Sequence, residues 1–274
     1  MLLSLAQIAS GTDIPHNLEL VRDAVRRAAE AGSELVLLPE YAMYEKKMVD
    51  ATFAEVAEPL DGPFGSAVAE LAAANRVAIV IGMVERNPDD RRPFNTLAAF
   101  GPDGALLARY RKIHLFDSYG FTESAWIAPA PHPEAVVVEL AGVRIGLMTC
   151  YDLRFPELAR LLAEQGAEVT AVCSSWVPGE NKADQWRTLA LARAIENECF
   201  VAAVCQAPPV SIGCSLVAGP SGEILAELGA DPGFVTVEID IAAVQAARDR
   251  DPIVANNRFR VSPRFDDRDG ETRS

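Results

Sequence analysis

The chain of 274 residues has no cluster of lysine and arginine, and its formal net charge is −14. A nucleic-acid-binding protein must neutralise phosphates with grouped cations, so that class is excluded. The same shortage argues against docking on an anionic membrane surface. No apolar run approaches the length that spans a bilayer. The opening "MLLSLAQIASGTD" lacks a basic start and a small-residue cleavage site, so it reads as a first buried strand and not as a signal peptide. Five cysteines (150, 173, 199, 205 and 214) form no CxxC pair, and His16, His114 and His132 have no metal-ligand spacing. A metal site is not expected, and the thiols are expected to be free, in a cytoplasmic setting. The G-x-S-x-G signature of serine hydrolases is also missing.

What remains is an ordinary globular composition, half hydrophobic and 23% charged. Near-continuous apolar runs, among them "LLSLAQI", "ELVLLP", "VAIVIGMVE", "VRIGLMTC", "EVTAVCSS" and "FVAAVCQ", predict strands covered on both faces. Amphipathic stretches between them, such as "NLELVRDAVRRAAEAG" and "PELARLLAEQG", predict helices. The alternation implies an α/β domain with hairpins added. The halves echo each other: "AGSELVLLPE" resembles "QGAEVTAVCS", and "FGPDGALLA" resembles "AGPSGEILA". The offset of roughly 120–135 residues is too long for a solenoid repeat, and it suggests two similar β-α units packed sheet to sheet. No linker separates them. Residues 1–261 therefore read as one domain, and 262–274 as a charged, loosely held tail.

Glu40 ends "ELVLLPE", Lys112 lies in "ARYRKIHLF", and Cys150 ends "VRIGLMTC". In α/β sheets ligands collect beyond the carboxyl ends of strands. Each residue alone has a plain explanation: a solvated glutamate, a surface lysine, a core cysteine. Together they could form a site. A buried glutamate could take the proton of the thiol, and a fixed ammonium with the backbone N–H of Tyr151 could stabilise an oxyanion.

These motifs ("LVLLPE", "YRKIHLF" and "TCYDLRFPE") resemble those of the nitrilase superfamily of carbon–nitrogen hydrolases, from about residue 2 to 260. "CYDLRFPE" is similar to the Nit-type amidase branch. The resemblance implies a four-layer α-β-β-α sandwich, a homodimer or larger homo-oligomer, and no cofactor. It places the family's Glu-Lys-Cys triad on Glu40, Lys112 and Cys150. It also places a second glutamate on Glu123 in "ESAWIAPA", where Ala130 replaces the usual glycine. The implied reaction is attack of the Cys150 thiolate on a small-molecule amide or nitrile, with Glu40 as base, a thioester intermediate, and release of ammonia. A carboxamide is the favoured substrate, the ω-amide of a short acid or a deaminated-glutathione-like amide. A carbamoyl amino acid or a nitrile would use the same triad, and acyl transfer or an inactive scaffold remain rivals.

Tyr41, Phe116, Trp126 and Trp176 are candidates to line the pocket. Lys46, Arg154 and Lys182 could meet a substrate carboxylate, while Asp152, Arg154 and Glu157 are expected to satisfy one another as an internal brace. The other four cysteines are expected in the core.

Overall fold

A computed structural model describes residues 1–262. Of the tail expected at 262–274, only Ser262 is among them; the rest of that expectation lies outside the described residues. The strands are β1 (Leu2–Gln7), β2 (Leu35–Leu37), β3 (Ala78–Glu85), β4 (Phe94–Phe100), β5 (Leu106–Arg111), β6 (Val137–Leu140), β7 (Val143–Thr149), β8 (Val169–Ser174), β9 (Phe200–Cys205), β10 (Leu216–Ala218), β11 (Ile224–Glu227) and β12 (Gly233–Glu238). They form two six-stranded sheets, ordered β12-β1-β2-β3-β4-β5 and β11-β10-β9-β8-β7-β6. In each sheet three neighbouring strands run parallel, β1-β2-β3 in one and β7-β8-β9 in the other, with antiparallel strands added at both ends. The echo between the halves is therefore a repeated topology.

The helices are α1 (Ile14–Glu30), α2 (Thr52–Val56), α3 (Pro63–Asn75), α4 (Pro156–Glu164), α5 (Lys182–Asn197), α6 (Ala242–Arg250) and α7 (Ile253–Asn256). Helices α1 and α3 cover the outer face of the first sheet, and α4 and α5 that of the second, giving four layers. Side chains alternate across a strand, and this decides which core each residue enters. Leu35 and Leu37 face the second sheet, whereas Val36 and Leu38 pack under α1 and α3 with Val21, Val25 and Val68. Strand β3 repeats the pattern with Ala78 and Val80 against Ile79 and Ile81. A buried strand in this fold has no polar face, which is why the sequence shows continuous apolar runs.

Two backbones meet closely where β3 passes under the turn that carries Glu40. At Gly82, inside β3, a Cβ would sit 2.5 Å from the Tyr41 nitrogen and 2.6 Å from the Glu40 Cα. The Gly82 N–H donates to the Pro39 carbonyl at 3.1 Å, and its own carbonyl accepts from Met43 N–H at 3.3 Å. Only glycine lets the two backbones come this near.

Candidate active site

Glu40 follows β2, Lys112 follows β5 and Cys150 follows β7, and all three line one cleft with an empty volume of about 470 Å³. The two sheets are tied together there. The Ser175 N–H, just past β8, donates to Glu40 Oε2 at 2.6 Å, and Gln206 Nε2, past β9, donates to the Glu40 carbonyl at 3.1 Å. Glu40 thus belongs to one sheet and is held by the other.

Lys112 is 2% exposed. Its Nζ donates to Glu40 Oε1 at 2.9 Å and to both oxygens of Glu123, at 3.1 and 2.9 Å. Burial alone would lower its pKa, but Glu123 and Glu40 outweigh burial and hold the ammonium well above the usual lysine range. A buried cation flanked by two buried carboxylates is stable only because each is paired. Three more donors fix Glu123: Tyr41 OH at 2.9 Å, Asn95 Nδ2 at 3.2 Å and the Phe116 N–H at 2.6 Å. The alanine in its loop does no harm: the Ala130 N–H donates to the Lys112 carbonyl at 3.1 Å and closes the loop onto the lysine.

Cys150 opens a short 3-10 turn, Cys150–Arg154, directly off the strand, with φ at +47°. A non-glycine residue in this region costs about 1–2 kcal/mol, so the turn must be held by its surroundings. Asp152 supplies that hold. It is fully buried, its Oδ2 accepts from Thr149 N–H at 3.0 Å and from Tyr110 OH at 2.7 Å, and its Oδ1 meets His114 Nδ1 at 2.7 Å. Burial, and then Glu40, push the Cys150 thiol well above its ordinary value, and Lys112 offsets only part of that. At rest the sulfur keeps its proton and lies 3.7 Å from the Ser175 carbonyl, to which it donates. Tyr151 is the second residue of the turn, where a backbone N–H has no carbonyl to meet within the helix.

A second pocket shares Phe116, Cys150, Ser175 and Val177 with the first, has about 220 Å³ of empty volume, and adds Arg154, Trp176 and Lys182 to the wall. Lys182 Nζ sits 4.2 Å from the Tyr119 ring centre, 5.1 Å from Phe116 and 5.5 Å from Trp176, and the Arg154 guanidinium lies 4.8 Å from Trp176. Among the described residues neither cation has a carboxylate partner; Arg154 Nη2 donates to Gln185 Oε1 at 2.7 Å. Burial and the neighbouring Arg154 lower the Lys182 pKa.

Several expectations need correction. Trp126 is not in either pocket: it is 39% exposed, while the neighbouring Ile127 is fully buried. Tyr41, Phe116 and Trp176 do line the pockets. The brace of Asp152, Arg154 and Glu157 does not form as a mutual cluster. Asp152 is satisfied by Tyr110, His114 and Thr149, Arg154 turns to the second pocket, and Glu157 is exposed. Lys46 is already paired with Asp50. Cys173, Cys199 and Cys205 are buried and Cys214 is partly so, and none is in a disulfide.

Asn95, Ser175 and Glu45 were missed. Asn95 Nδ2 donates to Glu40 Oε1 at 2.7 Å; one amide in the apolar strand "FNTLAAF" is the signal for it, since a buried polar group needs a partner. Ser175 and Glu45 fall in the loops after β8 and β2, which carry no periodicity to read. Among the described residues no group of His, Cys, Asp and Glu side chains could hold a metal ion, and no helix is long and apolar enough to cross a membrane.

Residues 2–249 match the carbon-nitrogen hydrolase family. The chain is 42% identical over 272 residues to a protein of Mycobacterium tuberculosis named only as a hydrolase, covering 93% of this chain and 95% of that one. It is 33% identical over 261 residues to the deaminated glutathione amidase of Escherichia coli O157:H7, covering 94% and 98%. The solved NitN amidase from Neterenkonia sp. AN1 superposes with a TM-score of 0.82 at 29% identity, covering 94% of this chain and 96% of its own.

Proposed function

Because this chain belongs to the carbon–nitrogen hydrolase family, we propose that it is a thiol amidase acting on a small primary carboxamide whose far end bears a carboxylate. The observation that carries this reading is the Lys112 ammonium bridging Glu40 and Glu123 in the cleft that holds Cys150. Glu40 takes the thiol proton as substrate arrives, and the thiolate attacks the amide carbon. The oxyanion is met by the Tyr151 N–H and by Lys112, one of whose N–H groups swings from Glu123 to the new charge. Glu40 returns the proton to nitrogen, ammonia leaves, and a thioester remains. Water deprotonated by Glu40 then releases the acid. Glu123 keeps the lysine oriented and charged. The two cations of the second pocket, Arg154 and Lys182, support a carboxylate on the acyl group, and no metal or cofactor takes part. A cytoplasmic homodimer or larger homo-oligomer belongs to the same proposal, supported for the compartment by the free thiols.

Ammonia release from a panel of carboxylated amides, carbamoyl amino acids and nitriles tests the reaction. Release from the amides is expected, with a thioester mass on Cys150 trapped at low pH. Release from the nitriles alone would overturn the amidase reading.

A further inference from the structure

Glu45 lines the cleft beside Glu40, Lys112 and Cys150 and is 3% exposed. Its Oε1 accepts the Lys46 N–H at 3.1 Å, but its Oε2 is buried and closes no hydrogen bond of good geometry, with the Ser175 side chain near enough to act on the carboxyl group. The other two carboxylates of the cleft differ. Both oxygens of Glu40 and both of Glu123 are engaged, by Lys112, Asn95, Ser175, Tyr41 and Phe116. A buried polar atom left without a partner is rare, and in a cleft it marks a place for a ligand group.

The cleft leaves one part of the substrate unaccounted for. Its carbonyl oxygen is met by Lys112 and the Tyr151 N–H, and its acyl tail has the cation pocket. The nitrogen is left to the wall formed by Glu40 and Glu45. We propose that Glu45 takes part in the reaction by protonating the ammonia expelled from the substrate, so that it cannot attack the thioester again. The inference rests on the amidase reading above.

The step balances. The Glu45 O–H bond breaks, an N–H bond forms on the ammonia lone pair, and ammonium and the Glu45 carboxylate result. Ammonium leaves, and the Glu45 carboxylate regains the proton that the carboxylic acid product gives up, so that the net products are ammonium and a carboxylate. The side chain is suited to this, because burial and the adjacent Glu40 push its carboxyl well above the usual carboxylate range, against weaker pulls from Ser175, the Lys46 N–H and Lys112. With Oε1 accepting from Lys46, the proton falls on Oε2, the oxygen that closes no hydrogen bond of good geometry. Ammonia is a much stronger base than an alcohol, so the residue should matter for an amide and not for an ester of the same acid.

The test measures kcat/KM for a primary amide and for the matching ethyl ester in the wild type, Glu45→Gln and Glu45→Asp. Glu45→Gln is expected to lower the amide value about 100-fold, near the low end of what a positioned acid contributes, and to leave the ester value largely unchanged. Added ammonium chloride should slow the amide reaction of this variant more than that of the wild type, and Glu45→Asp should recover part of the loss. Equal falls on amide and ester, or an unchanged amide value, would overturn the inference while leaving the amidase reading intact. If Glu45→Gln is inert on both substrates, the same ratio is read on Glu45→Asp. A wild type that releases no ammonia from any amide would overturn both.

Discussion

The two pockets that meet at Cys150 have opposite character. On one side lie three buried carboxyl groups, Glu40, Glu45 and Glu123, with one buried ammonium among them, that of Lys112. On the other lie two cations without a carboxylate partner among the described residues, stacked over aromatic rings. Among its buried groups the first pocket has more acid than base, with Lys46 and Lys47 farther out on its lining, whereas the second has cations and no carboxylate. A carboxylate at one end of a bound molecule would pair the cations of the second pocket, and an amide at the other end would then meet the thiol that both pockets share. The difference between the pockets therefore gives a substrate its direction.

The strongest way to break this contrast is Lys112→Met. It leaves Glu40 and Glu123 facing each other without their cation, and removing one partner of a buried ion pair costs about 3–5 kcal/mol. Amide hydrolysis should fall about 1,000-fold, as expected for the loss of an oxyanion donor, and the melting temperature should drop clearly. Kinetics and a thermal melt on the same preparation check both. Near-wild-type turnover would mean that the ammonium is structural only.

The opposite pocket is probed by Arg154→Met and Lys182→Met. Hydrogen bonds to a charged group contribute about 1.5–3 kcal/mol each, so each change should raise KM for a carboxylated amide by about 10- to 100-fold with kcat largely kept. A neutral amide of equal length should be almost unaffected. If both substrates respond alike, the cations are packing elements and the contrast between the pockets says nothing about specificity.

How much of the molecule was legible in its sequence depends on what holds each element in place. The buried central strands could be read because a strand covered on both faces must be apolar throughout, as "VAIVIGMVE" and "EVTAVCSS" are, whereas the order of the strands in each sheet could not. Strands β5, β6 and β11 lie at or near the sheet edges and carry exposed residues, and their pattern is correspondingly weaker. Glu40, Lys112, Cys150 and Glu123 stood out through their motifs, and the structure brings all four together. Asp152 was assigned to the right task with the wrong partners, because its ligands Tyr110 and His114 come from a segment about 40 residues away. Trp126 was misplaced because adjacency in sequence to Glu123 says nothing about which face of a turn a ring takes. Glu45 was invisible for a related reason: a glutamate in a loop reads as solvated until the second sheet is seen to close over it.

That closure has a consequence for stability that is smaller than the effects above but isolates Glu45. Its folded-state pKa is raised above the ordinary 4.5 by burial and by Glu40. Below pH 4.5 the folded and unfolded chains both carry the proton, and the fold keeps its full stability. Between 4.5 and the raised folded value the unfolded chain has released its proton while the folded one retains it, so stability declines steadily as pH rises. Glutamine cannot titrate. The melting temperature of Glu45→Gln should therefore gain on that of the wild type as pH is raised from about 5 to 8, by a few degrees at most for a chain of this size, in contrast to the loss of amide hydrolysis expected of the same variant. Groups remote from Glu45 titrate alike in both proteins and cancel from the difference, and Tyr41 and Cys205, which Glu45 does influence, are both raised above the range scanned. A gap that stays constant across this range would show that Glu45 ionises in the fold as it does in the open chain, and the carboxyl-rich pocket would then hold a third negative charge in place of a neutral acid.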